Sequence, residues 1–139
     1  MAVTDRVRFE SYSEARAHFK ALLDAADDGR PAIVRRDDRY AAVVDAARLR
    51  VVLTEVAPKA EVVPEAEGWS VFIPGVPVAA DAGSFDEAID DMIDALRDYA
   101  EDWETRLRVA PNHTHNWPLV QLIALSDDHE LRGWLAGEG

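Results

Sequence analysis

FDEAIDDMIDALRDYAEDW, residues 85–103, limits what this 139-residue chain can fold into more than any other stretch. Ala88, Ile89, Met92, Ile93, Leu96, Tyr99, Ala100 and Trp103 recur at the spacing of one helical face. Asp86, Asp90, Asp91, Asp94, Asp98, Glu101 and Asp102 fall on the other. Ser84 and Glu87 stand at capping-box spacing, where a hydroxyl and a carboxylate each satisfy a free backbone N–H. A helix this long with one apolar stripe needs a second layer to cover it. In the preceding GWSVFIPG, Trp69, Val71 and Ile73 alternate with Ser70 and Phe72, which predicts a central strand with apolar residues on both faces. VPVAADAGS predicts a short strand leading to a turn, and AEVV a strand before both.

The first part of the chain has its own pattern. VRFES (7–11) alternates Val7 and Phe9 with Arg6, Arg8 and Glu10, as a half-buried strand does. A helix is expected next, with a capping box at Ser11 and Glu14 and an apolar stripe of Ala15, Phe19, Leu22, Leu23 and Ala26. DDGRP ends it, with Gly29 as C-cap and Pro31 behind. AIVRR (32–36) and RYAAVVD (39–45) read as strands joined by a polar turn at Asp37-Asp38. ARLRVVLTEV begins either a second amphipathic helix or an extension of the sheet. Residues 56–68, with two prolines and a glycine, mark the expected domain boundary. Beyond the long helix, TRLRV reads as a closing strand, NWPLVQLIAL as a helix with Pro118 at its first position, and SDDHELRGWL as a short helix capped by Ser126.

Composition narrows the function. A hydrophobic content of 48% can build a real core in one ordinary domain or two small ones. No apolar run approaches the about 20 residues of a membrane span and MAVTDRVRFE has no export signal, so a soluble, cytoplasmic protein is expected. With no cysteine, disulfides, thiolate metal sites and thiol nucleophiles are excluded. The net charge of −12 is unevenly placed. Residues 1–60 hold 11 Lys and Arg against 10 Asp and Glu, a net of +1, and residues 61–139 hold 4 against 17, a net of −13. Such a split points to two surfaces with different partners, against the plainer reading of an acidic surface that serves solubility.

Chemistry is hard to find. Asp86, Asp90 and Asp94 stack along one helical face, but parallel neighbours do not converge on two metal ions as nuclease chemistry requires. His113-Thr114-His115, with His129 further on, has some metal-ligand character but no third ligand at diagnostic spacing. A loop before a helix is the plainer reading. There is no Ser-His-Asp order, P-loop or dinucleotide fingerprint. Trp103, Trp117 and Trp134 read as core or interface anchors, and Trp134 with Leu131 and Leu135 reads equally as an apolar patch that a partner covers.

SYSEARAHF, then PAIVRR, then AAVV, in this order and at these distances, resembles the Phd/YefM family of antitoxins over about residues 5–55. The resemblance implies a strand-helix-strand-strand-helix unit that dimerises through its sheet and presents a basic surface to operator DNA. The family's DNA-contacting arginine falls on Arg16, and the arginine closing its second strand on Arg35, with Arg36 beside it. Arg8 and Arg39 are candidate phosphate contacts. Asp37 and Asp38 occupy the turn where that family often has glycine. A cation in the first turns of a helix is disfavoured unless a phosphate sits at the free N–H groups, so Arg16 suits a DNA-bound helix. Pairing of Arg16 with Glu14 or Asp5 at the surface is the plainer alternative.

Residues 60–103 resemble the HicB antitoxin family at Gly68, Trp69, Pro74, Gly83, Ser84, Glu87 and Ala88. That resemblance implies a reduced ribonuclease-H-like unit without nuclease activity whose surface binds a small basic toxin. The expected fold class is therefore α+β: residues 1–58 a Phd/YefM-like DNA-binding and dimerisation domain, and 59–139 a HicB-like acidic toxin-binding domain with C-terminal helices. The expected protein is a type II antitoxin that occludes its toxin and represses its own operon, with no catalysis and no cofactor. Asp90, Asp94, Asp98, Leu131 and Trp134 are the candidate toxin contacts. A stand-alone transcription regulator or adaptor is the alternative.

Overall fold

The structure, a computed structural model, describes residues 7–137. Asp5 and Arg6 lie outside the described residues. The chain divides into two compact units, Met1–Leu49 and Arg50–Gly139. The division falls within a helix, α3 (Ala46–Val56), upstream of the proline-bearing stretch at 56–68.

In the first unit, β1 (Val7–Phe9) pairs parallel with β2 (Ala32–Arg36), which pairs antiparallel with β3 (Arg39–Val43). Asp37 accepts the left-handed conformation (φ 56°) in the two-residue hairpin turn, a conformation that Asp tolerates better than most side chains. Between β1 and β2 the chain forms two short helices, α1 (Tyr12–Ala17) and α2 (Phe19–Asp27), where the spacing predicts one. The break is at His18, whose backbone leaves the helical region (φ −120°, ψ 36°) as its ring stacks on Phe9, 6.1 Å away.

The break corrects the expected stripe. Ala15, Leu22 and Ala25 bury themselves with Phe9 and Ala32, and Ala26 is buried too. Phe19 and Leu23 remain 56% and 47% exposed, because the offset at His18 turns α2 so that a different face meets the sheet. The helix ends as predicted at Gly29 (φ 87°): its N–H reaches Ala26 O at 3.0 Å and the next, Arg30 N–H, reaches Ala25 O at 2.9 Å, the paired bonds of a Schellman motif. Arg48 closes over this turn and donates to Asp27 O at 3.0 Å.

The second unit holds a sheet in the order β4 (Glu61–Glu65), β5 (Gly68–Ile73), β6 (Val76–Ala82), antiparallel throughout and with β5 central, as its sequence predicts. The long helix α4 (Phe85–Thr105) begins at Ser84, whose hydroxyl accepts from Glu87 N–H at 3.2 Å. Ile89, Met92, Ile93, Leu96 and Tyr99 are buried with Val71, Ile73 and Val78 of the sheet and with Leu119, Ile123 and Leu131 of α5 (Trp117–Ala124) and α6 (Asp128–Leu135). This is the larger core of the chain. Among the described residues the fold is thus α+β, with two three-stranded sheets and six α-helices.

Two more expectations are corrected in this unit. TRLRV forms no strand: α4 runs to Thr105, Arg106 forks onto Asp102 one turn back (2.7 and 2.8 Å), and Leu107–Val109 is a single 3-10 turn. Leu107 alone packs on the core while Val109 stays exposed, so the apparent alternation was a short turn with one inward residue. Asp127, not Ser126, caps α6, in a complete capping box with Glu130 (2.7 and 3.0 Å). Ser126 is buried beneath it, donating to Leu122 O and accepting from Arg50 Nε at 2.8 Å.

Candidate functional site

Cross-strand partners in a sheet project to the same side, so the register sorts the arginines of the first unit. Arg8, Ile33 and Ala42 lie side by side, and Arg35 is paired with Tyr40, all on the face away from α1 and α2. Arg36 and Arg39 are paired across the hairpin end on the opposite face, the one that carries Phe9 and Val34 against the helices. Arg16, exposed on α1, belongs to that helix-bearing side. The five candidate cations therefore divide into two sets, Arg16 with Arg36 and Arg39, and Arg8 with Arg35.

The second set is tied down locally. Arg8 bonds Glu10 at 2.6 Å and lies over the Tyr40 ring, 4.9 Å from its centre. The Glu10 hydrogen bond and charge raise the Arg8 pKa above its ordinary value. Arg35 donates to Asp37 O at 2.9 Å and stands 3.9 Å from Glu10.

Arg16 itself is placed differently from expectation. Because α1 ends at Ala17, Arg16 sits in the last turn of a six-residue helix. A cation there faces the partial negative charge of free carbonyls and is favoured without any ligand. The phosphate argument from an N-terminal position therefore falls away, and the case for Arg16 rests on its exposure and its side of the unit. Ser11 does cap α1, its hydroxyl accepting from Glu14 N–H at 3.1 Å.

In the second unit the candidate toxin contacts separate just as clearly. Asp94 and Asp98 are exposed along α4. Asp90 is already ion-paired with Arg132 of α6, whose guanidinium also lies 3.8 Å from Asp86. Leu131 is fully buried (0% exposed) in the α4, α5 and α6 core and has no surface to offer a partner. Trp134 is half-buried and forms one wall of a cavity of about 720 Å³ with Val51, Lys59 and His129. Trp117, at 48%, is the exposed tryptophan of this unit.

The histidine loop has a structural occupation. Tyr99 meets His113 Nδ1 at 2.9 Å and accepts from Asn116 Nδ2 at 2.9 Å, and Trp103 Nε1 donates to His113 O at 2.8 Å. These bonds fasten PNHTHNW to α4. Among the described residues no three His, Asp or Glu side chains gather in a way that could hold a metal ion. Arg97 is the residue that sequence reasoning passed over: it donates to Ile123 O (2.7 Å), Ser126 O (2.9 Å) and Asp128 (2.9 Å), closing the turn between α5 and α6. Its signal was a lone cation within an acidic helix. Among the described residues no helix is long and apolar enough to cross a membrane.

Residues 7–136 match the model of the PHD_like family, described as "Antitoxin of toxin-antitoxin, RelE / RelB, TA system". The chain belongs to this family of toxin–antitoxin antitoxins, and membership implies a toxin as its partner. The crystal structure of the antitoxin part of a proposed toxin/antitoxin system from Syntrophomonas wolfei subsp. wolfei shares the fold, with a TM-score of 0.75, 22% identity, and coverage of 91% of this chain and 94% of that one. No curated protein matches significantly.

Proposed function

We propose that this antitoxin acts by two surfaces: a Phd/YefM-like N-terminal domain, residues 1–58, that dimerises and represses its own operon, and an acidic HicB-like domain, residues 59–139, that sequesters a small basic toxin. The observation that carries the reading is the antitoxin family match, which runs through both segments. The charge split supports the division of labour, +1 before residue 61 and −13 after it.

Operator binding needs cations that displace counterions from phosphate. Arg16, Arg36 and Arg39 share one side of the first unit, whereas Arg8 and Arg35 on the other side are held by Glu10 and the Asp37 carbonyl, which favours the first set. Dimerisation needs apolar surface, and Tyr40 on the open sheet face and Phe19 and Leu23 on α2 provide it. Toxin binding by the acidic domain requires neither catalysis nor a cofactor, only occlusion, and Asp94 and Asp98 are available for it. Repression of an operon would place the protein in the cytoplasm, where operator DNA resides.

The test is a pull-down of the tagged protein co-expressed with the product of the adjacent reading frame, followed by a gel shift of the complex on the upstream DNA. A stable complex whose shift is lost in Arg16→Ala is the expected result. A complex that shifts DNA equally well with Arg16→Ala removes Arg16 from the DNA surface, and no complex at all removes the toxin partner.

A further inference from the structure

Residues 60–96, which build the second sheet and much of α4, contain nine Asp and Glu and no Lys, Arg or His. No cation on this stretch offsets them. α4 seals one face of that sheet over Val71, Ile73 and Val78. The other face is set by the register: Glu61, Phe72 and Ala79 are aligned across the three strands, and so are Val63, Ser70 and Asp81. Val63 and Phe72 are half-buried and Ala79 is exposed, forming a short apolar strip. Glu61 and Asp81 stand exposed at its margins, and Glu65 shares the Glu61 side of β4.

This combination restricts what can cover the face. A second copy would set the same carboxylates against one another, since a two-fold contact brings the same patch to itself. Nucleic acid and anionic lipid are repelled by the same charges. A cationic protein segment satisfies both parts, with an apolar side chain over Phe72 and Lys or Arg reaching the rim.

Resting on the reading of the protein as a toxin-sequestering antitoxin, we propose that the open face of the β4–β5–β6 sheet, centred on Phe72 and rimmed by Glu61, Glu65 and Asp81, is where a cationic amphipathic segment of the toxin docks. The contact then lies on the opposite side of the sheet from the acidic stripe of α4.

The experiment is calorimetric titration of the purified full chain with the product of the adjacent reading frame, for the wild type, Phe72→Lys, the double variant Glu61→Lys/Glu65→Lys, and the helix variant Asp94→Lys/Asp98→Lys. The double variant alters exposed side chains only, so it reports on binding even if Phe72→Lys perturbs folding, and melting curves check each protein. The expected result is at least a tenfold rise in Kd for the sheet variants and a smaller rise for the helix variant. Wild-type affinity in Glu61→Lys/Glu65→Lys overturns the sheet face and leaves the antitoxin reading intact. A wild-type chain that does not bind the neighbouring product overturns the antitoxin reading, and this inference with it.

Discussion

A Cβ at Gly68 would lie 2.2 Å from the backbone oxygen of Ala82, and Gly68 also holds φ at 154°. Neither strand backbone can yield without breaking the ladder of the second sheet, so Gly68→Ala should destabilise the chain by more than about 2 kcal/mol, seen as a lowered denaturation midpoint. At Gly29 the added methyl would meet Arg48 at 3.2 Å, a flexible side chain that can move, so the loss there should be the smaller of the two. Leu131→Ala should also be costly, about 2–5 kcal/mol by chemical denaturation, because it opens a cavity in a closed core. A surface contact at Leu131 would instead predict little change in stability and a loss of partner binding. Gly68 was legible in the sequence as the residue opening a strand, but the approach of Ala82 was not, because it depends on strand register. Leu131 was legible as apolar and misread as surface, since a pattern near a chain end does not say which face another helix will cover.

At the level of elements, what local spacing determines was legible. The α4 stripe, the central place of β5, the hairpin turn at Asp37-Asp38 and the Gly29 cap all follow from residues within a few positions of one another. What depends on a distant contact was not. The His18 break coincides with a ring stack on Phe9, nine residues earlier, and it moves Arg16 from the beginning of a helix to the end of one. The α6 cap was misread by one residue because SDD offers three capping side chains in a row, and burial of Ser126 under Arg50 leaves Asp127 to do it. Asp127→Ala should therefore lower stability by about 1 kcal/mol in denaturant unfolding, the usual loss for a removed cap. Were Ser126 the cap, Asp127→Ala would leave the midpoint unchanged.

For the whole molecule, the division of charge was readable from the sequence alone, and the structure adds which of those charges are already engaged. Arg132 neutralises Asp90, and Arg97 faces Asp128, so the exposed acidity outside these pairs includes Asp91, Asp94, Asp98 and Glu101 of α4 and the open sheet face. DNA binding through exposed arginines should weaken as salt rises, and each phosphate contact removed should reduce the slope of log K against log[salt] by about 0.9. Arg36→Ala and Arg39→Ala should each do so in a salt-titrated gel shift, and Arg8→Ala should leave the slope as it was, because Arg8 is held by Glu10 over the Tyr40 ring on the opposite face.

The most direct test of the central claim is growth. The adjacent reading frame is expressed from an inducible promoter in a host lacking the operon, alone and together with this chain. The account predicts arrest when the neighbour is expressed alone and restored growth when this chain accompanies it. A harmless neighbour, or arrest that this chain does not relieve, would contradict it.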